Sequence, residues 1–126
     1  MEMPKPNPAI LAKRTRIISR LRDVLPHDAV IDDPPEPRTY ECDASTAYRC
    51  PPLAAVLPQS TVEVSEVLRI CHEEGVPVVP RGSGTSLAGG ALPTADSVIL
   101  GVARLTQVLE TDYDNRFIRV QTGRTN

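Results

Sequence analysis

The stretch that decides the fold is residues 78–90, which read Val78-Val79-Pro80-Arg81-Gly82-Ser83-Gly84-Thr85-Ser86-Leu87-Ala88-Gly89-Gly90. An apolar run ends at Pro80, and a loop of glycines, hydroxyls and one cation follows it. Glycine lets a ligand approach the main chain closely, and successive N–H groups in such a turn can form a nest that binds an anion. Further donors come from Arg81, Ser83, Thr85 and Ser86. The loop therefore predicts a pyrophosphate site, and a plain turn between two strands is the alternative.

Two commoner phosphate-binding motifs are excluded by counting residues. A Walker A loop needs Gly, four residues and then Gly-Lys-Ser/Thr. Gly84 and Gly89 have that separation, but Gly90-Ala91 follow them. The dinucleotide fingerprint G-x-G-x-x-G begins at Gly82 and Gly84, but Leu87 stands where its last glycine is needed.

A known family does share the motif. Residues 80–93, Pro80-Arg81-Gly82-Ser83-Gly84-Thr85-Ser86-Leu87-Ala88-Gly89-Gly90-Ala91-Leu92-Pro93, resemble the pyrophosphate loop of the FAD-linked oxidases with a vanillyl-alcohol-oxidase (PCMH) type flavin domain. Within that family they are most similar to the branch of bacterial glycolate oxidase flavin subunits and D-lactate dehydrogenases. The resemblance covers about residues 40–126, including the patterns at 52–58, 60–75 and 98–123.

The resemblance implies an α+β (mixed α/β) fold, the first lobe of a PCMH-type FAD-binding domain. We expect a small mixed sheet with covering helices, preceded by an N-terminal amphipathic helix. The chain then divides into residues 1–39 (tail, helix and proline-rich crossing segment) and residues 40–126 (first lobe). The cofactor-binding residues implied are Arg81, Gly82, Ser83, Gly84, Thr85, Ser86, Gly89 and Gly90.

The same resemblance implies an N-terminal fragment of an FAD-dependent enzyme that oxidises a 2-hydroxy acid of the glycolate or D-lactate type. Some members attach FAD through a histidine in the pattern Arg-Ser-Gly-Gly-His-Ser, and Thr85 occupies that histidine's position. We therefore expect non-covalent FAD. A second flavin subunit and an iron–sulfur subunit are implied partners, with a cytoplasmic location, peripheral to the membrane through those subunits. No residue stands out as a general base, so we expect an inactive isolated chain.

Composition narrows the remaining classes of protein. The 126 residues carry 14 basic and 16 acidic side chains, a net charge of −2 that gives no case for nucleic acid. No apolar stretch approaches the ~20 residues of a membrane span. Three cysteines, an odd number, suit a reducing compartment. Cys42 and Cys50 lack zinc-ligand spacing and a histidine partner, so no metal site is expected.

Periodicity supplies the elements around the loop. Asn7 and Pro8 begin an amphipathic helix that runs to Pro26 with a basic outer face. We expect that face to be solvated; docking on a membrane or an acidic partner is the alternative. Two rival functions therefore stay open: a non-catalytic anion- or nucleotide-binding module, and an interaction protein that uses this basic helix.

Beyond the helix, residues 26–52 are expected to be an irregular crossing segment. Ser60 and Glu63 form a capping-box pair, and Gly75 ends that helix. His72 should lie on its exposed face. The other expected elements are strands at 53–57, 76–79 and 97–101, a turn at 102–105 and a hairpin of 108–112 with 116–122. We expect the strands on either side of the helix to form a parallel pair.

The hairpin and its exit carry two further expectations. Ile118 and Val120 alternate with polar residues, which predicts one buried and one solvated face. In the family, Val120-Gln121-x-Gly123 opens a second flavin-contacting segment. Thr122 and Arg124 depart from that pattern, which argues against flavin contact here.

Overall fold

The structure, a computed structural model, describes residues 3–33, 36–45 and 47–125. Positions 34, 35 and 46 of the predicted crossing segment, and positions 1, 2 and 126 of the predicted domains, lie outside this description. The elements in chain order are α1 (Pro8–Ala12), α2 (Arg14–Val24), a 3₁₀ helix (His27–Ala29), β1 (Val30–Ile31), a 3₁₀ helix (Glu36–Tyr40), β2 (Ala54–Val56), α3 (Thr61–Glu74), β3 (Val78–Arg81), β4 (Val98–Gly101), β5 (Val108–Asp112) and β6 (Phe117–Val120). The crossing segment is thus less irregular than its prolines predict.

The strands form two sheets, one of four strands in the order β1-β2-β4-β3 and one of two strands, β5-β6. Both β2 and β3 run parallel to β4, and β1 is antiparallel to β2. The mixed α/β class is therefore confirmed. The expected direct pairing of β2 with β3 is wrong, because β4 lies between them. All four residues of β4 are buried, as suits a central strand that is covered on both faces.

The N-terminal helix is broken where the periodicity predicts one continuous helix. Asn7 caps α1 as expected, its Oδ1 accepting from the Ala9 N–H at 3.0 Å. The N–H of Lys13 donates to the Ile10 carbonyl at 2.9 Å, which closes a tight turn, and α2 begins after it. Both helices still contribute to the core, through Ile10 of α1 and through Ile17 of α2.

One hydrophobic core joins the helices to the four-stranded sheet. It contains Ile17 and Leu21 of α2, Ile70 of α3, and Val56 and Val98 of the sheet, each no more than 1% exposed. Side chains from residues 1–39 and from residues 40–126 therefore pack in the same cluster. The division at residue 39 stays a prediction.

Helix α3 follows its sequence signals closely. Ser60 Oγ accepts from the Glu63 N–H at 3.2 Å. The Glu63 carboxylate reaches back to the Gln59 N–H at 2.8 Å, one residue earlier than a capping box requires. Gly75 ends the helix with φ of 71°, a left-handed conformation that suits glycine. His72 is exposed, as predicted.

The basic face of α2 is neutralised within the chain. Arg16 and Arg20 pair with Glu74 of α3 at 2.9 and 2.7 Å, and the Glu74 side chain is only 2% exposed. Arg22 pairs with the buried Asp32 at 2.6 Å. The cations that the sequence presents as a solvated face thus bind α3 and the segment after β1, which removes the main reason to regard α2 as a partner-binding surface.

The hairpin of β5 and β6 forms where expected, but its predicted buried face is wrong. Ile118 and Val120 are 58% and 38% exposed, and Phe117 is 42% exposed. Alternation of apolar and polar residues shows that a strand has an apolar face, yet it cannot say whether another element covers that face. Here the two strands form their own sheet instead of extending the four-stranded one.

Candidate functional site

The glycine-rich loop leaves the sheet at the carboxyl end of β3. This strand lies at the sheet edge, contains Pro80, and pairs in register with β4, with Arg81 opposite Gly101. The N–H of Val102 donates to the Arg81 carbonyl at 3.0 Å. Arg81 is therefore held by the sheet, and the loop begins at the next residue, Gly82. Ligands of α/β sheets bind outside the carboxyl ends of the strands, which is where the loop lies.

The main chain of the loop presents free donors. Within the described residues, the five consecutive N–H groups of residues 82–86 have no protein acceptor. Four of these residues are exposed, and Gly84, with φ of 75°, is half-buried. A row of unpartnered N–H groups that includes a left-handed glycine is the arrangement that binds an anion.

Three hydroxyls flank these N–H groups. Ser83 Oγ and Thr85 Oγ1 lie 3.2 Å apart and share a hydrogen bond. Ser86 Oγ accepts from the Ala88 N–H at 3.2 Å, so its own proton remains to be donated. All three side chains are exposed. One of the Ser83 and Thr85 hydroxyls donates to the other, so two of the three hydroxyl protons are free for a ligand.

Arg81 lies behind the loop. Its Nη1 donates to the Cys42 carbonyl at 2.6 Å, and the guanidinium lies 5.7 Å from the centroid of the Tyr40 ring. A Cβ at Gly84 would come within 2.2 Å of Arg81 Nη2. The positive φ of Gly84 therefore favours glycine, and any side chain there would also displace the Arg81 guanidinium. Direct contact of Arg81 with an anion stays a prediction.

The far end of the loop is held by a residue that the sequence reasoning missed. The N–H of Gly89, whose φ is 78°, donates to Asp43 Oδ2 at 2.9 Å. Gly90 next to it is exposed. The acidic stretch at 40–43 is visible in the sequence, but its contact with a residue 46 positions later is not.

A second segment faces the start of the loop. A cavity of about 440 Å³ lies between Gly82 and Ser83 on one side and residues 102–106 and 122–125 on the other. The N–H of Gly123 donates to the Leu105 carbonyl at 2.8 Å, and a Cβ there would lie 1.8 Å from the carbonyl oxygen of Val102. Thr122 and Arg124 differ from the family pattern, which argues against flavin contact by this segment. Gly123 nevertheless allows the segment to lie beside the loop.

Comparison with known proteins identifies the family. Residues 52–126 match the family described as FAD binding domain. The chain belongs to this family. It is 42% identical over 113 residues to the glycolate oxidase subunit GlcD of Escherichia coli K12, covering 90% of this chain and 23% of the relative. It is also 42% identical over 84 residues to the D-lactate dehydrogenase of Archaeoglobus fulgidus, covering 57% of this chain and 19% of the relative.

The fold prediction is confirmed by a solved structure. The crystal structure of p-cresol methylhydroxylase with substrate bound matches with a TM-score of 0.83 at 22% identity, covering 95% of this chain and 24% of that one. The chain spans about a quarter of the length of the Escherichia coli relative and of this structure.

The loop of this FAD binding domain fits its cofactor. Residues 81–91 contain no acidic side chain, so the loop offers donors and one cation to a diphosphate. Hydrogen bonds to charged groups contribute about 1.5–3 kcal/mol each, so a few of these N–H groups suffice to hold it. FAD is the cofactor of the domain.

Other kinds of site are not found in residues 3–33, 36–45 and 47–125. No group of three or more His, Cys, Asp and Glu residues could hold a metal ion. Across the same residues, no helix has the length and apolar character needed to cross a bilayer. All three cysteines are free thiols. Burial raises the pKa of the Cys71 thiol to about 11.

Proposed function

We propose that this chain holds the pyrophosphate of non-covalently bound FAD in an oxidoreductase that acts on a 2-hydroxy acid. The observation that carries the proposal is the row of five unpartnered N–H groups at residues 82–86, at the carboxyl end of β3. These N–H groups and the hydroxyls of Ser83, Thr85 and Ser86 are the proposed donors to the diphosphate.

The division of labour follows from the contacts of each residue. The N–H groups and hydroxyls donate directly, while Arg81 contributes its positive charge from behind the loop. When bound, FAD supplies the hydride-accepting chemistry. No residue of this chain is proposed to be catalytic, and the residues at 81–90 bind and orient.

The substrate class rests on what the relatives are called. They include a glycolate oxidase subunit, a D-lactate dehydrogenase and the D-2-hydroxyglutarate dehydrogenase of Arabidopsis thaliana, which is 30% identical over 117 residues. All three names denote the oxidation of a 2-hydroxy acid. The alternative of a stand-alone anion-binding module is not favoured, because these relatives are named as enzymes and the chain itself matches the FAD binding domain.

Partners and location complete the proposal. The Escherichia coli relative is named a subunit, which supports assembly with other oxidase subunits. We propose a second flavin subunit and an iron–sulfur subunit as these partners. We also propose a cytoplasmic location, peripheral to the membrane through those subunits.

The test uses the complete natural polypeptide that carries this sequence. Purified protein should contain FAD, and glycolate, D-lactate or D-2-hydroxyglutarate should bleach it and reduce an artificial electron acceptor, with L-lactate as the stereochemical control. Gly84→Val should lose the flavin. Val62→Ala is the control, because Val62 is an exposed residue of α3 outside the loop.

Two outcomes would contradict the proposal. Full flavin content in Gly84→Val would show that the loop does not hold the pyrophosphate. Tight binding of ADP or pyrophosphate by a polypeptide that takes up no flavin would favour the anion-binding module.

A further inference from the structure

The segment from Tyr40 to Ser45 touches the phosphate loop at three points. The Cys42 carbonyl accepts from Arg81 Nη1 at 2.6 Å, immediately before the loop. The Ala44 N–H donates to the Ser86 carbonyl at 3.1 Å, in the middle of the loop. Asp43 Oδ2 accepts from the Gly89 N–H at 2.9 Å, at its far end. The loop is therefore fixed along its length by one short segment remote in sequence.

Asp43 is the one side chain of this segment that bonds to the loop main chain, among the described residues. It is 5% exposed. Its Oδ1 accepts from the Ser45 N–H at 2.9 Å, and its Oδ2 accepts from Gly89, so each oxygen has a backbone donor. Within the described ranges, no Lys or Arg forms a salt bridge with it. The carboxylate is thus oriented by main-chain amides alone.

The hydrogen bond from the Gly89 N–H to Asp43 occupies one loop donor and leaves others for a ligand. The N–H groups of residues 82–86 have no acceptor among the described residues. Because Gly89 holds a φ of 78°, the loop bends back at this point toward the 40–45 segment. With its far end tied, the loop loses less conformational freedom when a diphosphate binds, and such preorganisation increases affinity.

We propose that Asp43 is a positioning residue of the FAD site, which fixes the phosphate loop through Gly89 before the flavin arrives. This inference rests on the proposed function, since it concerns the same loop. In this inference Asp43, the last residue of the acidic stretch at 40–43, holds the loop in place, whereas residues 82–86 donate to the diphosphate. Asp43 acts on the loop through its bond to Gly89.

The experiment compares three variants of the complete natural polypeptide. Asp43→Ala removes both acceptors, and Asp43→Asn keeps one, because an amide has a single acceptor oxygen. Asp32→Asn is the matched control. Asp32 is also buried, at 6% exposed, but it pairs with Arg22 of α2 and lies 50 positions before Gly82, where the loop begins. FAD affinity is measured by titration of flavin-free protein well below the unfolding temperature of every variant.

Asp43→Ala should raise the FAD dissociation constant about tenfold or more, and Asp43→Asn should raise it by a smaller factor. In flavin-free protein, hydrogen exchange of the peptide at 82–92 should accelerate in Asp43→Ala, while exchange at 98–101 stays unchanged. Asp32→Asn should lower thermal stability and leave both the dissociation constant and the loop exchange unchanged.

Four results would overturn the inference. One is an FAD dissociation constant of Asp43→Ala within about twofold of wild type. If Asp43→Ala does not fold, the same result for Asp43→Asn has the same force. Another is a rise in the FAD dissociation constant of both the Asp43 and the Asp32 variants in proportion to their loss of stability. Asp43 would then act only through the stability of the fold. A wild type that binds no FAD overturns the proposed function as well, whereas flavin lost in Gly84→Val but kept in Asp43→Ala overturns this inference alone.

Discussion

Replacing Gly84 by alanine tests the geometry of the loop most directly. At φ of 75° an L-residue is strained, which costs about 1–2 kcal/mol. The new Cβ would also lie 2.2 Å from Arg81 Nη2, so the guanidinium at the end of this flexible side chain must shift. Its bond to the Cys42 carbonyl, worth about 1.5–3 kcal/mol as a hydrogen bond of a charged group, would then be lost.

These two terms together oppose the loop conformation that binds the cofactor by about 2.5–5 kcal/mol. If the loop relaxes to another conformation, binding must restore the original one, and the apparent dissociation constant rises by the corresponding factor. Gly84→Ala should therefore weaken FAD binding by roughly 70-fold to 5,000-fold.

A second glycine of the loop separates the two terms. Gly89 has φ of 78° with open space around its Cβ position, so Gly89→Ala incurs the strain alone and should weaken binding by about 5- to 30-fold. Val62→Ala, at an exposed position of α3 outside the loop, incurs neither term and should bind like wild type. Dissociation constants come from fluorescence titration of flavin-free protein. The reasoning is refuted if Gly84→Ala is no weaker than Gly89→Ala.

Three further predictions concern stability, the second segment and the flavin linkage. Arg20 beside Glu74 holds the pKa of that carboxyl below its usual 4.5, so its stabilisation is present above that pH and lost as the pH falls through the lowered value. Glu74→Gln should thus be less stable than wild type at pH 7 in urea unfolding, and the gap should close in acid. Gly123→Ala, with its Cβ 1.8 Å from the Val102 carbonyl oxygen, should displace residues 122–125 and lower the melting temperature. Because Thr85 cannot replace a linking histidine, acid precipitation of the holoprotein should leave the yellow flavin in the supernatant.

Each of these has a control. Glu66→Gln, which removes only an exposed pairing with Arg69, should cost less stability than Glu74→Gln. A gap between Glu74→Gln and wild type that stays constant down to pH ~3 would contradict the assigned pKa shift. Gly90→Ala should melt like wild type, since its Cβ would meet Ser86 Oγ at an ordinary 3.9 Å. Flavin colour retained in the precipitated protein would disprove non-covalent binding.

Local chemistry explains what the sequence predicts well. The cap at Ser60, the left-handed Gly75 and the apolar runs of β2 and β4 depend on contacts a few residues apart, and each appears in the structure. The loop was predictable for the same reason, because glycine and hydroxyl composition acts directly on the main chain.

Contacts between distant segments explain what was missed. Strand order depends on β4, whose Leu100 pairs with Val56 of β2, 44 positions earlier in the chain. The direction of the Arg81 side chain depends on Cys42, 39 positions earlier. Periodicity carries no information about either, nor about what covers the apolar face of the hairpin.

Pro80 limits the hydrogen bonds that the edge strand β3 can offer to another strand. The carbonyls of Pro77 and Arg81 accept from Val98 of β4 and from Val102, the residue that follows β4, at 2.9 and 3.0 Å. Because alternate residues face the same side, Pro80 points away from that neighbour, toward the open edge. Proline has no N–H to offer another strand, so the sheet cannot readily recruit a foreign chain here. Among the described residues no strand pairs with the outer side of β3, and Pro80 keeps this edge, from which the cofactor loop emerges, from acting as a template for aggregation.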